Sequence, residues 1–137
     1  MRSIELVFDD STESVIRSDW ARLAVAGIPS LAGHASASNR PHITLAAGPD
    51  LPLSGHQILS GSGHHILAGH PGGLWRDLPF DVEFSGMQVF AAAAGKYVLA
   101  RSLVMTGPLF HLHRALHEGI TEAAPLTLPD AWTPHVT

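Results

Sequence analysis

Two short stretches of this chain carry the same chemistry. Pro41-His42-Ile43-Thr44 recurs as Pro134-His135-Val136-Thr137, with residue type kept at all four positions. In an extended strand alternate side chains share a face, so His42 and Thr44 point one way and Ile43 the other. His135, Thr137 and Val136 repeat the pattern. Each copy offers an imidazole and a hydroxyl on one face, about 7 Å apart along the backbone. An imidazole exchanges protons near neutral pH, and a hydroxyl donates to developing negative charge. Two such pairs around one cleft supply a base, an acid and two hydroxyl donors. That set suits an in-line displacement at phosphorus. A single tetrapeptide of this kind is ordinarily no more than the start of a strand, and the repetition gives it weight. The two histidines lie 135 − 42 = 93 residues apart, a separation that suits two halves of one domain.

Read as His42-Ile43-Thr44-Leu45 and His135-Val136-Thr137, the pair resembles the signature of the 2H phosphoesterase superfamily. That signature is two His-x-Ser/Thr motifs, each in a strand and often preceded by Pro. Within the superfamily the chain is similar to the branch of the 2′-5′ RNA ligase and RNA 2′,3′-cyclic phosphodiesterases, and the resemblance spans essentially the whole chain. It implies an α+β fold, with two pseudo-symmetric lobes of antiparallel sheet and outer helices around a central cleft. It also implies metal-independent opening of a 2′,3′-cyclic phosphate on an RNA end or a nucleotide, with no cofactor. His42 and His135 would be the catalytic acid and base, in an order that near-identical motifs do not assign. Thr44 and Thr137 would bind the phosphate. Run in reverse, the site would join RNA ends through a 2′-5′ linkage. The paired motif specifies a superfamily rather than a substrate. A 2′-5′ oligonucleotide or an ADP-ribose cyclic phosphate is an alternative substrate, and a non-catalytic nucleotide- or RNA-binding module of the same fold is an alternative of another class.

The elements that must position these residues follow from periodicity. Ile4, Leu6 and Phe8 fall on one face by alternation and predict a half-buried strand over residues 3–8. Asp10 stands three residues before Glu13, a capping-box spacing, and Ile16, Trp20, Leu23 and Ala24 follow at helical intervals. A helix is expected over 11–26, ended by Gly27 and Pro29, with Trp20 as a core anchor. A loop of small and polar residues, 30–41, leads into the first motif strand, 41–47. Arg40 precedes Pro41 and is expected to be extended, so alternation brings it to the His42 face as a candidate phosphate contact.

Residues 48–78 are rich in Gly and Pro, and Gly55, Gly61, Gly63 and Gly69 make them a poor helix former. A short helix around 55–68 or an irregular loop is expected there. The His64, His65 and His70 cluster has neither the HExxH form nor a carboxylate partner, so no metal site is assigned. Phe80, Val82 and Phe84 predict a strand with one wet face, bent at Gly86 and continued by Gln88-Val89-Phe90. A turn at 91–95 precedes a strand over 97–105. There Arg101 lies on an otherwise apolar face and needs a partner or an anion. It is a second candidate for phosphate or for a carboxylate, weighed against an edge-strand Arg reaching water. Gly107-Pro108 opens a helix with Leu109, Leu112, Leu116 and Ile120 as its apolar stripe. His113 and His117 are read as surface residues at its edge. Trp132, three residues before His135, either stacks on a substrate base or packs against the sheet.

Composition bounds the rest. The chain has 137 residues, 45% hydrophobic and 15% charged, which suits a single domain with its own core. It has no cysteine, which excludes disulfides, thiolate metal sites and a Cys nucleophile. A net charge of −4 speaks against coating long nucleic acid through phosphate neutralisation, though not against a nucleotide or an RNA terminus as partner. The sequence shows no membrane-length apolar run, and a cytoplasmic monomer is expected. The last residue, Thr137, is also the last residue of the second motif. A terminal carboxylate there would repel a phosphate, so a longer natural chain is expected.

Overall fold

A computed structural model describes residues 1–36, 39–49, 51, 59–61, 64–66 and 73–137. The fold is α+β and its strands pair antiparallel. Strand β1 (Arg2–Val7) pairs with β2 (His42–Gly48), and β3 (Leu59–Gly61) with β4 (His64–Ile66). Strand β6 (Tyr97–Leu103) lies between β5 (Phe84–Ala91) and β7 (His135–Val136). The helices are α1 (Asp10–Val25) and α2 (Gly107–His117).

Helix α1 starts one residue earlier than the capping-box spacing predicts. Its cap is Asp9, whose side chain accepts from the Thr12 amide at 2.7 Å. That backbone bond, helped by the Ser11 and Thr12 hydroxyls, holds the Asp9 carboxyl below its ordinary range. Glu13 is therefore free to reach elsewhere. The helix ends in a Schellman turn: Ile28 N–H donates to Leu23 O at 2.9 Å and Gly27 N–H to Ala24 O at 3.0 Å. Gly27 sits at φ 74°, a conformation that a Cβ would strain. Ile16 and Trp20 face inward as expected, and they join Ile43, Leu45, Leu103, Leu109, Leu112, Leu116 and Val136 in one core. Burying each such aliphatic side chain stabilises the fold by about 1.5–3 kcal/mol.

Four expectations need correction. Strand β5 begins at Phe84 rather than Phe80, although Phe80 and Val82 still pack against the core. The irregularity expected at Gly86 is present as a register shift between Phe84 and Gly86. Strand β6 ends at Leu103, short of Met105. The helix expected around 55–68 lies partly outside the described residues, and where described the backbone is the β3–β4 pair. His113 is not a surface residue: only 2% of it is exposed. Its position, four after Leu109 and three before Leu116, puts it on the buried stripe of α2, where a hydrogen bond satisfies its ring.

Strand β2 is closed at its end by the incoming 122–124 backbone. Ala124 N–H donates to Ala47 O at 2.6 Å. A Cβ on Gly48 would collide with the Glu122 carbonyl oxygen, so this position needs glycine for close approach.

Candidate active site

Both tetrapeptides fold as the pattern requires. His42 opens β2 and His135 opens β7. Between the polar residues, Ile43 and Val136 are 1% and 2% exposed and share one core. Alternation then turns His42, Thr44, His135 and Thr137 away from that core, and all four are partly exposed. β2 and β7 belong to different sheets but lie in contact. Trp132, just ahead of β7, ties them together by donating Nε1–H to Thr44 O at 2.9 Å.

The two imidazoles are held in the same way. His42 Nδ1 lies 2.7 Å from Arg40 O, and His135 Nδ1 lies 2.8 Å from Thr133 O. A carbonyl oxygen only accepts, so Nδ1 carries the proton in both rings. Nε2 is left as the atom that can take or give one. In each case the acceptor belongs to the residue before the motif proline. Proline restricts that residue to extended conformations, which gives the repeated Pro a structural purpose.

The surroundings of the two rings differ. His42 Nε2 lies 3.6 Å from Glu5 Oε1, inside ion-pair range and beyond a hydrogen bond. Glu5 also accepts from Ser3 Oγ at 2.6 Å and faces Thr44 in the β1–β2 register. His135 instead packs its ring on Phe90, 4.6 Å between centroids. It faces Ser102 in the β6–β7 register, and the Ser102 hydroxyl is buried without a hydrogen-bond partner among the described residues.

The two candidate phosphate arginines are engaged elsewhere. Arg40 approaches Glu13 Oε2 through Nε at 2.8 Å and Nη2 at 2.5 Å. Arg101 approaches Asp19 Oδ2 through Nε at 3.0 Å and Nη2 at 2.5 Å. Both acids lie on α1, so this helix is strapped to the lead-in of β2 and to the middle of β6. Burial alone would raise the Glu13 carboxyl, but bonds and charges from Arg40 and Arg17 outweigh it and hold it low. Arg101 is not an edge-strand residue reaching water, because β6 is the central strand of its sheet. The carboxylate reading of Arg101 is the one realised.

Trp132 is 9% exposed, with one face stacked on His113 at 3.7 Å and 2° between planes. It is a core residue and not a platform for a base. His113 Nε2–H donates to Thr127 O at 3.0 Å, and His117 Nε2–H to Leu45 O at 3.1 Å. His117 therefore docks α2 on the backbone of the first motif strand, and His113 ties it to the 125–127 turn. Burial, and then the neighbouring His117, push His113 down to about 4 despite its hydrogen bond to Thr127.

Glu5 is the functional candidate that sequence reasoning missed. The alternation of β1 already set it opposite to Ile4 and Leu6. What was lacking was the register that puts it beside His42. Among the described residues no group of three or more His, Asp or Glu gathers to hold a metal ion, and no helix is long and apolar enough to cross a membrane. The side chains of His64, His65 and His70 lie outside the described residues.

Comparison with known proteins returns one family. The model described as the 2′-5′ RNA ligase superfamily matches residues 12–137, from early in α1 through the second motif. A search of curated proteins found no match, and a search of solved structures found none.

Proposed function

The chain belongs to the 2′-5′ RNA ligase superfamily, and on that premise we propose that it opens 2′,3′-cyclic phosphates on RNA ends or nucleotides without a metal. The observation that carries this reading is the matched pair of imidazoles, each with Nδ1–H tied back to a carbonyl and Nε2 without a hydrogen bond among the described residues. One Nε2 takes a proton from water as its oxygen attacks phosphorus. The other gives a proton to the ribose oxygen that departs. Each role contributes about 10²–10⁴ in rate at sites of this kind. Thr44 and Thr137 donate to the non-bridging oxygens as charge builds on them.

Arg40 and Arg101 act in this account as struts, because their guanidinium groups are held by Glu13 and Asp19. The phosphate is served by hydroxyls and imidazoles instead. The lobes around the two motifs are read as pseudo-symmetric on the shared pattern of proline, carbonyl-tethered His and outward Thr. Run in reverse, the same groups would form a 2′-5′ linkage between RNA ends, and excess water favours hydrolysis. A cytoplasmic protein acting on RNA termini is the setting this chemistry fits.

The test is turnover of a nucleoside 2′,3′-cyclic phosphate in EDTA, with the 2′- and 3′-monophosphate products resolved. A single product, formed at an undiminished rate in the chelator, is expected. Absence of turnover on both mononucleotides and short RNA would overturn the reading.

A further inference from the structure

The two motif histidines sit among different neighbours, and one of those neighbours is an acid. Glu5 Oε1 lies 3.6 Å from His42 Nε2, the atom that the Nδ1 tether leaves facing the reacting group. Glu5 also faces Thr44 across the β1–β2 pair. Cross-strand partners hold their Cβ atoms about 4.5–5.5 Å apart on one face, so the carboxylate stands beside both first-motif groups. A phosphate oxygen within hydrogen-bond reach of that Nε2 comes within about 6.5 Å of the carboxylate. The nearby guanidinium groups do not offset it, since Arg40 is held by Glu13 and Arg101 by Asp19. Glu5 also lies outside residues 12–137, the span matched by the family, so the family assignment does not account for it.

We infer that Glu5 is a specificity-determining residue of this site, admitting a monoanionic phosphodiester and disfavouring a dianionic phosphomonoester. The inference rests on the reading of the site as one that opens cyclic phosphates. In that reaction water adds to phosphorus, the bond from phosphorus to one ribose oxygen breaks, and that oxygen leaves as a hydroxyl. The product is a phosphomonoester that gives up a second proton to solvent above about pH 6. Reaction therefore turns a singly charged ligand into a doubly charged one beside a fixed negative charge. The Glu5 carboxylate weakens the hold on the product and speeds its departure. It also excludes ordinary nucleoside monophosphates that would otherwise occupy the cleft.

The test compares the intact protein with Glu5→Gln and Glu5→Asp at pH 8. Binding of a nucleoside 2′-monophosphate is measured by calorimetry. Binding of the 2′,3′-cyclic phosphate is read as KM, or by the same calorimetry where no turnover occurs. Glu5→Gln is expected to tighten the monophosphate on the order of tenfold more than the cyclic phosphate, the Coulomb effect of one extra charge at this range. Glu5→Asp keeps the charge and is expected to keep the original ratio. Equal shifts for both ligands, no shift for either, or no binding of either to any of the three proteins would overturn the inference. Failure of the proposed function shows separately, as absent turnover by the unsubstituted protein.

Discussion

The first motif and the second are nearly the same in sequence and differ in what surrounds them. His42 and His135 each begin a strand, follow a buried proline, and donate Nδ1–H to the carbonyl two residues back. Beside His42 stands the Glu5 carboxylate, and against His135 lies the Phe90 ring with the buried Ser102 hydroxyl across the sheet. A tetrapeptide encodes its own tether and its own alternation. It does not encode the cross-strand neighbour, which depends on the pairing register. Identical motifs can thus become chemically distinct groups once two different strands are laid beside them.

The largest expected effect breaks the pair. His42→Ala and His135→Ala should each lower turnover by about 10²–10⁴ with ligand affinity largely kept, measured as kcat against directly determined Kd. Retained turnover in either variant would make that motif structural. Next comes the comparison of Thr44→Val with Thr137→Val. Each should lower kcat by about 10²-fold or more, as loss of one preorganised donor does elsewhere. If only one of them does, the phosphate leans on a single motif and the symmetry of the account fails.

A smaller effect concerns stability, through the packing of α2 on Trp132 and on the 125–127 turn. His113 is neutral in the fold, where it is pushed to about 4, and ordinary near 6.5 once unfolded. Between those values the unfolded chain binds the extra proton. The stabilisation is full above pH 6.5 and is lost as pH falls toward 4, by roughly 3 kcal/mol in all. Denaturant unfolding at several pH values should show this slope, and His113→Phe, which keeps a ring against Trp132, should flatten it. The smallest effect is expected for Arg40→Gln. Its strut to Glu13 is partly exposed, so the loss should be about 1–2 kcal/mol of stability. KM for the cyclic phosphate should stay within about threefold. A rise of 10²-fold would return Arg40 to the phosphate and contradict the strut assignment.

Much of this organisation was legible in the sequence because alternation and helical spacing are local. Strand β1 and helices α1 and α2 announce themselves in apolar periodicity, strand β2 in the alternation of the motif, and the irregularity at Gly86 in the glycine itself. The tetrapeptides stood out because they repeat. What escaped is non-local. The acids that claim Arg40 and Arg101 lie 27 and 82 residues away along the chain, on a helix whose facing the sequence does not specify. Glu5 meets His42 only through the β1–β2 register, which a bulge between Ile4 and Glu5 shifts. His113 was misread because a polar residue type masked its place in the Leu stripe. Trp132, equally suited to a base or to a core, was decided by its stack on that same histidine.

The central claim is that His42 and His135 work as one acid and one base. The most direct measurement is the pH dependence of kcat/KM for a nucleoside 2′,3′-cyclic phosphate in EDTA, from pH 5 to pH 9. The account predicts a bell, because one imidazole must hold its proton while the other lacks it. A profile flat across neutral pH would contradict the paired mechanism.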